Sequence, residues 1–504
     1  MKELDTPPPH HPHPITKAAV DRALLDRAVT LTDRGNYTAL KESFGIYERL
    51  FTSPSFRIED KENQLQNAVL LTIRQKELGI KETCLNKAKD MVKTGSFLND
   101  YEPFLQYIDY LPSEIKGTEK DIETNYPAVK RRLEWLKENI SCMDLISEKI
   151  GKDDFYAYLY MSIMSAFTGH LRSREHINRF LESCPDTPLI RYKAAILLEP
   201  EKKKLESLVK DNPDFYEAYY FLGNASMKEK NIITAEKYFL KAYAQIPESP
   251  NITLSLANVS YWFEELIDSQ RYFEETLIQI PEHREALLGK ATCLGHLGKH
   301  KEALQVLRTI LLLGHYYVGE AFYWIGWNQN ELGQFKAALE NAEEADKHLR
   351  KNTLLLTLLG QIHFNMDNLD ESEKNFYEAH KLEPFFFEPA FCLGKIYSRK
   401  KNWLYTGYFF EMASKGAQNE EDGINKQIDD MVEATIDETR KQRYLSRKRR
   451  QLSQKILEKV TSYFNAGAGY FNAGQVKKAM ELVQMSSTHS AFEERANQLM
   501  SRMK

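Results

Sequence analysis

The sequence has no CxxC pair, no signal-like apolar run and no large excess of charge, and each absence removes a class of function. Its five cysteines, Cys84, Cys142, Cys184, Cys293 and Cys392, are scattered and odd in number. They indicate neither a disulfide framework nor a zinc site and point to a reducing compartment. The opening "MKELDTPPPHHPHPITKAAVD" holds no apolar stretch of signal type, and no window of about 18 apolar residues follows it. The chain is therefore expected to be soluble and cytoplasmic, with no membrane span. A net charge of −4 supplies no global field for nucleic acid or an anionic membrane, so nucleic acid is not the expected partner. Glycine and proline number only 23 and 18, and no series of alternating strand-like segments bounded by turns occurs. Stretches of period 3.6 dominate, which predicts an all-α chain.

Catalytic signatures are missing as well. There is no phosphate-cradling glycine loop, no GxSxG elbow and no HExxH pair. His296, His300 and His315 come closest to a cluster, with no acid placed to orient them. Carboxylate pairs such as those in "EEADKH" and "NEEDG" lie in polar helical or loop contexts, where surface salt bridges account for them. No catalytic residues, no cofactor and no metal are expected. His10, His11 and His13 lie in a tail, residues 1–14, too rich in proline and histidine to fold.

The chain does repeat itself. Small residues recur at Gly223, Ala257, Ala291, Gly326, Gly360 and Gly394, at intervals of 34, 34, 35, 34 and 34. Twelve residues behind each stands a second small or hydroxyl side chain: Ala235, Ser269, Ala303, Ala338, Ser372 and Thr406. Four further on the position is mostly bulky, with Phe239, Phe273, Leu307, Ala342, Phe376 and Phe410. Prolines close three units, at Pro247, Pro281 and Pro384. The spacing resembles the tetratricopeptide repeat, strongly over residues 214–417 in six units, with a further unit in "SYFNAGAGYFNAGQVKKAMELV". Departures exist: Thr253 stands where the first unit has Tyr219, and the closing proline is missing after the third, fourth and sixth units.

The resemblance implies a right-handed superhelical α-solenoid of helix-turn-helix repeats. In each unit the small residue lets the second helix approach the first, so Gly326 is explained although glycine weakens a helix by about 1 kcal/mol. Turns are expected at Gly298, Gly333 and Gly474. Another stripe of the first helices then lines a concave groove that takes a protein or peptide ligand. Its candidate partner-binding residues are Tyr220, Asn224, Asn258, Tyr261, Trp262, His296, Tyr323, Trp327, Asn330, Gln361, Phe364, Phe391, Lys395 and Arg399. The amides among them offer a donor and an acceptor to a peptide backbone, and the aromatics supply hot-spot surface. Two plainer readings stand beside these: Trp327 packs between neighbouring repeats, and Asn224 and Asn258 cap or solvate their helices. The carboxylate clamp of co-chaperone members is not matched: Tyr220 stands in the place of its first lysine, and Glu285 and Gly289 replace the later basic pair.

The expected organisation is a tail at 1–14, degenerate helical repeats at 15–213, six units at 214–417, a polar linker and basic helix at 418–459, and a final unit with a capping helix at 460–504. Phe492 and Leu499 are expected to cap the open end. In the degenerate part, turns are placed at Gly35, Gly79 and Gly169, and "YLPSEIKGTEKDIETNYP" interrupts the periodicity, leaving a separate helical domain at about 100–150 as the competing reading. After the sixth unit "SKGAQNEEDG" is expected to break the pattern, with a long polar helix running from about Ile424. Within it Arg440 to Lys455 holds eight basic residues and no acid. That run is either a solvated helix face, partly offset by Asp429, Asp430, Glu433 and Glu438, or a contact for phosphates or an acidic protein. The function expected is a noncatalytic scaffold or adaptor; the alternatives are a nucleic-acid-associated repeat protein using the basic run, or the scaffold subunit of a multienzyme complex.

Overall fold

The computed structural model describes residues 16–81, 83–94, 101–109, 154–165, 186–196, 201–314, 316–350, 352–434 and 438–503, with Leu181 and Cys184 singly. The tail at 1–14, the interrupting segment at 110–127, most of the alternative domain at 100–150, the turn at Gly169 and His315 lie outside the described residues. The chain divides into two compact units, Met1–Leu256 and Ala257–Lys504. Every regular element among the described residues is a helix. The first unit holds α1 (Lys17–Arg34), α2 (Tyr37–Leu50), α3 (Ile58–Glu77), α4 (Leu85–Thr94), α5 (Glu102–Asp109), α6 (Asp154–Ser165), α7 (Pro188–Ile196), α8 (Lys202–Asp211), α9 (Tyr216–Lys228) and α10 (Ile232–Tyr243). Helix α11 (Pro250–Trp262) begins in the first unit and ends in the second. The second continues with α12 (Leu266–Gln279), α13 (Arg284–His296), α14 (His300–Leu313), α15 (Val318–Glu331), α16 (Phe335–His348), α17 (Thr353–Asn365), α18 (Leu369–Leu382), α19 (Phe387–Arg399), α20 (Trp403–Glu433), α21 (Glu438–Asn472), α22 (Val476–Ser487) and α23 (Glu493–Ser501).

The helix pairs are joined by one repeated turn. At seven equivalent places the residue after the first helix takes a left-handed backbone: Lys230, Glu264, Gly298, Gly333, Asp367, Lys401 and Gly474, with φ between 57° and 79°. The next N–H then donates back to a carbonyl five residues earlier, as Glu265 does to Ser260 at 2.9 Å and Gln334 to Gln329 at 2.8 Å, which satisfies carbonyls the helix end leaves orphaned. Three of these positions are the glycines expected from sequence. The other four carry Lys, Glu or Asp in a conformation that costs an L-residue about 1–2 kcal/mol.

The small residues are notches. A Cβ placed on Gly223 would stand 2.3 Å from the Phe239 ring, on Gly360 2.8 Å from Phe376, and on Gly394 2.8 Å from Phe410. In each pair the bulky residue is the one sixteen positions on. Where that residue shrinks to Ala342, the notch at Gly326 admits backbone instead: its Cβ would lie 3.0 Å from the Ala338 carbonyl oxygen. The hydroxyl twelve residues behind also has a task. Ser269 Oγ donates to the Ala257 carbonyl at 2.9 Å and Ser372 Oγ to that of Gly360 at 2.8 Å, tying the second helix to the notch.

Helix α20 differs from expectation. It runs without interruption through "SKGAQNEEDG" to Glu433, and a new helix starts at Glu438. Gly416 does not break it, because that glycine is the point where the Phe385–Phe387 backbone presses on the helix; a Cβ there would meet the Phe385 carbonyl oxygen at 2.8 Å. Helices α20 and α21 then cross with backbones almost touching, since a Cβ on Gly469 would lie 2.6 Å from the Gly407 nitrogen. Beyond them Gly467 fits against Val483 of α22, and Phe492 is buried against Phe464, ring centroids 5.3 Å apart. Leu499 lies on α23, the last helix.

The first unit is held by charge as well as by apolar packing. Arg74, wholly buried on α3, donates to the Gly35 carbonyl at 3.0 Å, pairs with Glu77 at 3.2 Å and Glu217 at 3.7 Å, and lies 3.7 Å from the centroid of the Tyr192 ring. Glu77 accepts from Lys193 at 2.6 Å and from the hydroxyls of Tyr158 at 3.0 Å and Tyr192 at 3.3 Å. Burial alone raises a carboxylate, but Lys193 and Arg74 more than reverse this at Glu77 and hold it below its ordinary value. At Glu217 burial prevails over Arg74, and its pKa is pushed up to about 7. The end of α3 is closed from the start of α11: Ser249 Oγ donates to the Leu78 carbonyl at 2.6 Å and Asn251 Nδ2 to that of Glu77 at 3.2 Å.

Candidate functional site

On the first helices of the second unit, aromatic side chains at helical spacing meet from repeat to repeat. Tyr261 of α11 lies 6.3 Å from His296 of α13, and His296 lies 5.4 Å from Trp324 and 5.6 Å from Trp327 of α15. Tyr323 stands edge-on to Trp324 at 5.4 Å. Burial among these rings lowers the pKa of His296. Burial also lifts the Tyr323 phenol to about 12, the charge of Glu388 adding to the effect. A second cluster joins α17 and α19. The Arg399 guanidinium stands 4.5 Å from the centroid of Phe364, and the Lys395 ammonium 5.5 Å from Phe364 and 5.3 Å from Phe391. Cations over ring faces are stabilised by the ring quadrupole; Arg399 also pairs with exposed Asp367 at 3.1 Å.

The expected residues are thus distributed unevenly. Tyr261, His296, Tyr323 and Trp327 join one cluster, and Phe364, Phe391, Lys395 and Arg399 the other. Asn258 is exposed and its amide donates to Glu285 at 3.2 Å; Gln361 is half-buried on α17. Trp327 packs between repeats, in the plainer of its two readings: its ring edge lies 3.1 Å from the place a Cβ on Gly295 would take, and it also meets His300. Asn330 is buried rather than open, because its Oδ1 accepts from Asn365 Nδ2 at 3.0 Å in the next repeat. Trp262 is covered on one face by Tyr444 of α21, the rings stacked 6.1 Å apart at 10°. Tyr220 and Asn224 lie in the first unit on α9, both half-buried, with the Tyr220 ring against Phe221 and Phe239.

The basic run is not simply a solvated face. One stripe of α21 is docked on the turn after α11. Arg440 pairs bidentately with Glu265, Nε to Oε1 at 3.0 Å and Nη2 to Oε2. Lys448 donates to Glu264 at 2.6 Å, and Lys455 to Glu420 at 2.7 Å. Arg443, Arg449 and Arg450 on the other face remain exposed. Reading the run in sequence pairs it with the acids just upstream; the acids it meets at the turn are 175 or more residues away. The one local signal was the doubled acid in "FEELI" at 263–267, at a turn that elsewhere holds glycine, lysine or a single aspartate.

A sequence profile described as tetratricopeptide repeat matches residues 202–250 and 265–313. The chain carries tetratricopeptide repeats. The first match begins at Lys202, so α8 belongs to it, ahead of the boundary expected at Asp214. Among curated proteins no sequence match is found. Several solved tetratricopeptide structures are similar over part of the chain. MamA from Desulfovibrio magneticus RS-1, from residue 41 on, is 16% identical, TM-score 0.31, covering 34% of this chain and 95% of its own. A thermophilic repeat protein of Thermus thermophilus is 17% identical, TM-score 0.29, covering 34% and 92%. A repeat protein from Parabacteroides merdae is 13% identical, TM-score 0.33, covering 57% and 98%. Tetratricopeptide repeats serve in general as protein-interaction scaffolds, and no described helix is long and apolar enough to cross a membrane.

Proposed function

We propose that the chain is a noncatalytic adaptor whose second unit holds a segment of a partner protein on its first-helix face. The observation that carries this is the exposed ammonium of Lys395, set over two phenyl rings with no carboxylate in ion-pair range among the described residues. A partner segment that places a carboxylate there and an apolar side chain on Phe364 and Phe391 gains a charge-assisted contact above two half-buried rings. Arg399 adds a second cation whose present partner, Asp367, is a surface residue, and exposed Asn258 and half-buried Gln361 offer amides to the backbone of the same segment. The free thiols of Cys84, Cys184, Cys293 and Cys392 support a reducing, cytoplasmic setting.

The test uses fluorescent peptides of about a dozen residues, acidic and basic, each with one aromatic anchor. Acidic peptides are expected to bind the full chain, and Lys395→Glu with Arg399→Glu to weaken them at least about tenfold with an unchanged melting temperature. Equal affinity of the variant, or preference for the basic set, removes this reading.

A further inference from the structure

We propose that Trp262, Phe263, Glu264 and Glu265 form a binding site for a basic amphipathic helix, and that residues 440–451 of this chain are its resident, displaceable occupant. The contacts are those of a ligand in a site. Arg440 grips Glu265 with both branches of its fork while its plane lies 4.6 Å from the Phe263 centroid. Tyr444 stacks on Trp262 and stands edge-on to Phe263 at 5.8 Å. Arg447 donates to the Phe263 carbonyl at 2.8 Å, Lys448 to Glu264 Oε1 at 2.6 Å, and Gln451 to Glu264 Oε2 at 2.8 Å. Positions 440, 444, 447, 448 and 451 fall on one face of a helix, and Tyr444 and Lys448 on it are buried, while Gln442, Arg443, Ser446, Arg449 and Arg450 face water.

The acceptor is singular among the repeats. The two residues that close the seven turns are Lys230 and Asn231, Glu264 and Glu265, Gly298 and Lys299, Gly333 and Gln334, Asp367 and Asn368, Lys401 and Asn402, and Gly474 and Gln475. Only one turn is doubly acidic, and the basic helix lies on that one. Glu265 stands at the N-cap of α12 without capping it; its carboxylate is given to Arg440 instead. The pairing joins two ion pairs, Arg440 with Glu265 and Lys448 with Glu264, to a Tyr444 ring buried on Trp262 and Phe263; Glu264 and Trp262 keep part of their surface in water, which gives exchange an edge to start from. Residues 456–472 are fixed separately, through Lys459 on Glu421 at 2.5 Å and the crossing with α20; the basic half is also tied to the end of α20, where Lys441 donates to the Val432 carbonyl at 2.5 Å and to the Ala434 carbonyl at 3.0 Å, so its departure breaks these two bonds as well. Tethering supplies the resident helix at an effective concentration of order millimolar, so a partner helix of the same pattern, Arg, aromatic at +4, Arg and Lys at +7 and +8, must outcompete it. The site does not depend on the Lys395 reading.

The experiment uses the full chain and a labelled peptide of residues 438–455. In Arg440→Glu with Lys448→Glu, hydrogen exchange within 440–451 is expected to rise while 456–472 stays protected, and the peptide to bind at least about tenfold more tightly than to the wild type. Adding Glu264→Lys with Glu265→Lys should restore the protection through reversed charges and abolish peptide binding, which separates recognition from loss of fold. Unchanged exchange in the double variant, or an opened chain that binds the peptide no better than the wild type, overturns the proposal.

Discussion

A glycine in a helix means opposite things at two places in this chain. At Gly360 the missing Cβ is filled by the Phe376 ring, and at Gly423 nothing lies within 4 Å. Gly360→Ala gains about 1 kcal/mol of helix propensity and loses about 1–3 kcal/mol to overpacking against the ring, so the variant is expected to be less stable or at best equal. Gly423→Ala keeps the gain without the clash, and is expected to raise stability by about 1 kcal/mol. Chemical denaturation of the two variants checks the sign of each. The notch at Gly360 was legible because it recurs every thirty-four residues; the emptiness at Gly423 was not, because a lone glycine looks the same whether it faces a ring or water. The same limit applies to Asn330 and Trp327, placed on one helical stripe by their spacing, whose neighbours in the adjoining repeat decide what each side chain is free to do.

Between elements, the repeat period fixed every helix pair from α9 to α19, and failed where the pattern ran into α20. A composition of Gly, Asn, Glu and Asp reads as a loop, yet Gly416 is present to let the Phe385–Phe387 backbone in, and the helix continues over it for several turns. The crossing of α20 with α21 depends on Gly407 and Gly469 in the same way, with the difference that the obstacle is backbone and has no rotamer into which to retreat. Gly469→Ala is therefore expected to cost more than Gly360→Ala, by about 2 kcal/mol or more, and to loosen the final repeat first. Hydrogen exchange should show protection falling in α21 and α22 while α13 to α18 keep theirs, because each repeat leans mainly on its neighbours. Uniform loss along the second unit would count against that locality.

At the scale of the molecule, period-based reading is strongest where contacts are local and weakest where they span the chain. Residues 15–213 were expected as degenerate repeats; the turn glycines Gly35 and Gly79 take left-handed backbones at φ 67° and 70°. What no period announced is the charge cluster around Arg74, which beyond its helix neighbour Glu77 draws Gly35, Lys193 and Glu217 from separate stretches of the first unit. Its carboxylates pull stability in opposite directions with pH. Glu77, held below its ordinary value, adds stability that is lost as pH falls through its folded pKa. Glu217, lifted to about 7, binds a proton in the fold that the unfolded chain has released above about pH 4.5; its contribution is full below that and disappears as pH rises through 7. Glu217→Gln removes this titration and keeps an oxygen for the Tyr37 N–H, which donates to Glu217 at 2.9 Å. The variant is expected to match the wild type near pH 4.5 and to exceed it by up to about 3 kcal/mol at pH 8, read as the gap between two denaturation series. A gap that stays constant across that range would mean Glu217 is already ionised in the fold, with Arg74 outweighing its burial.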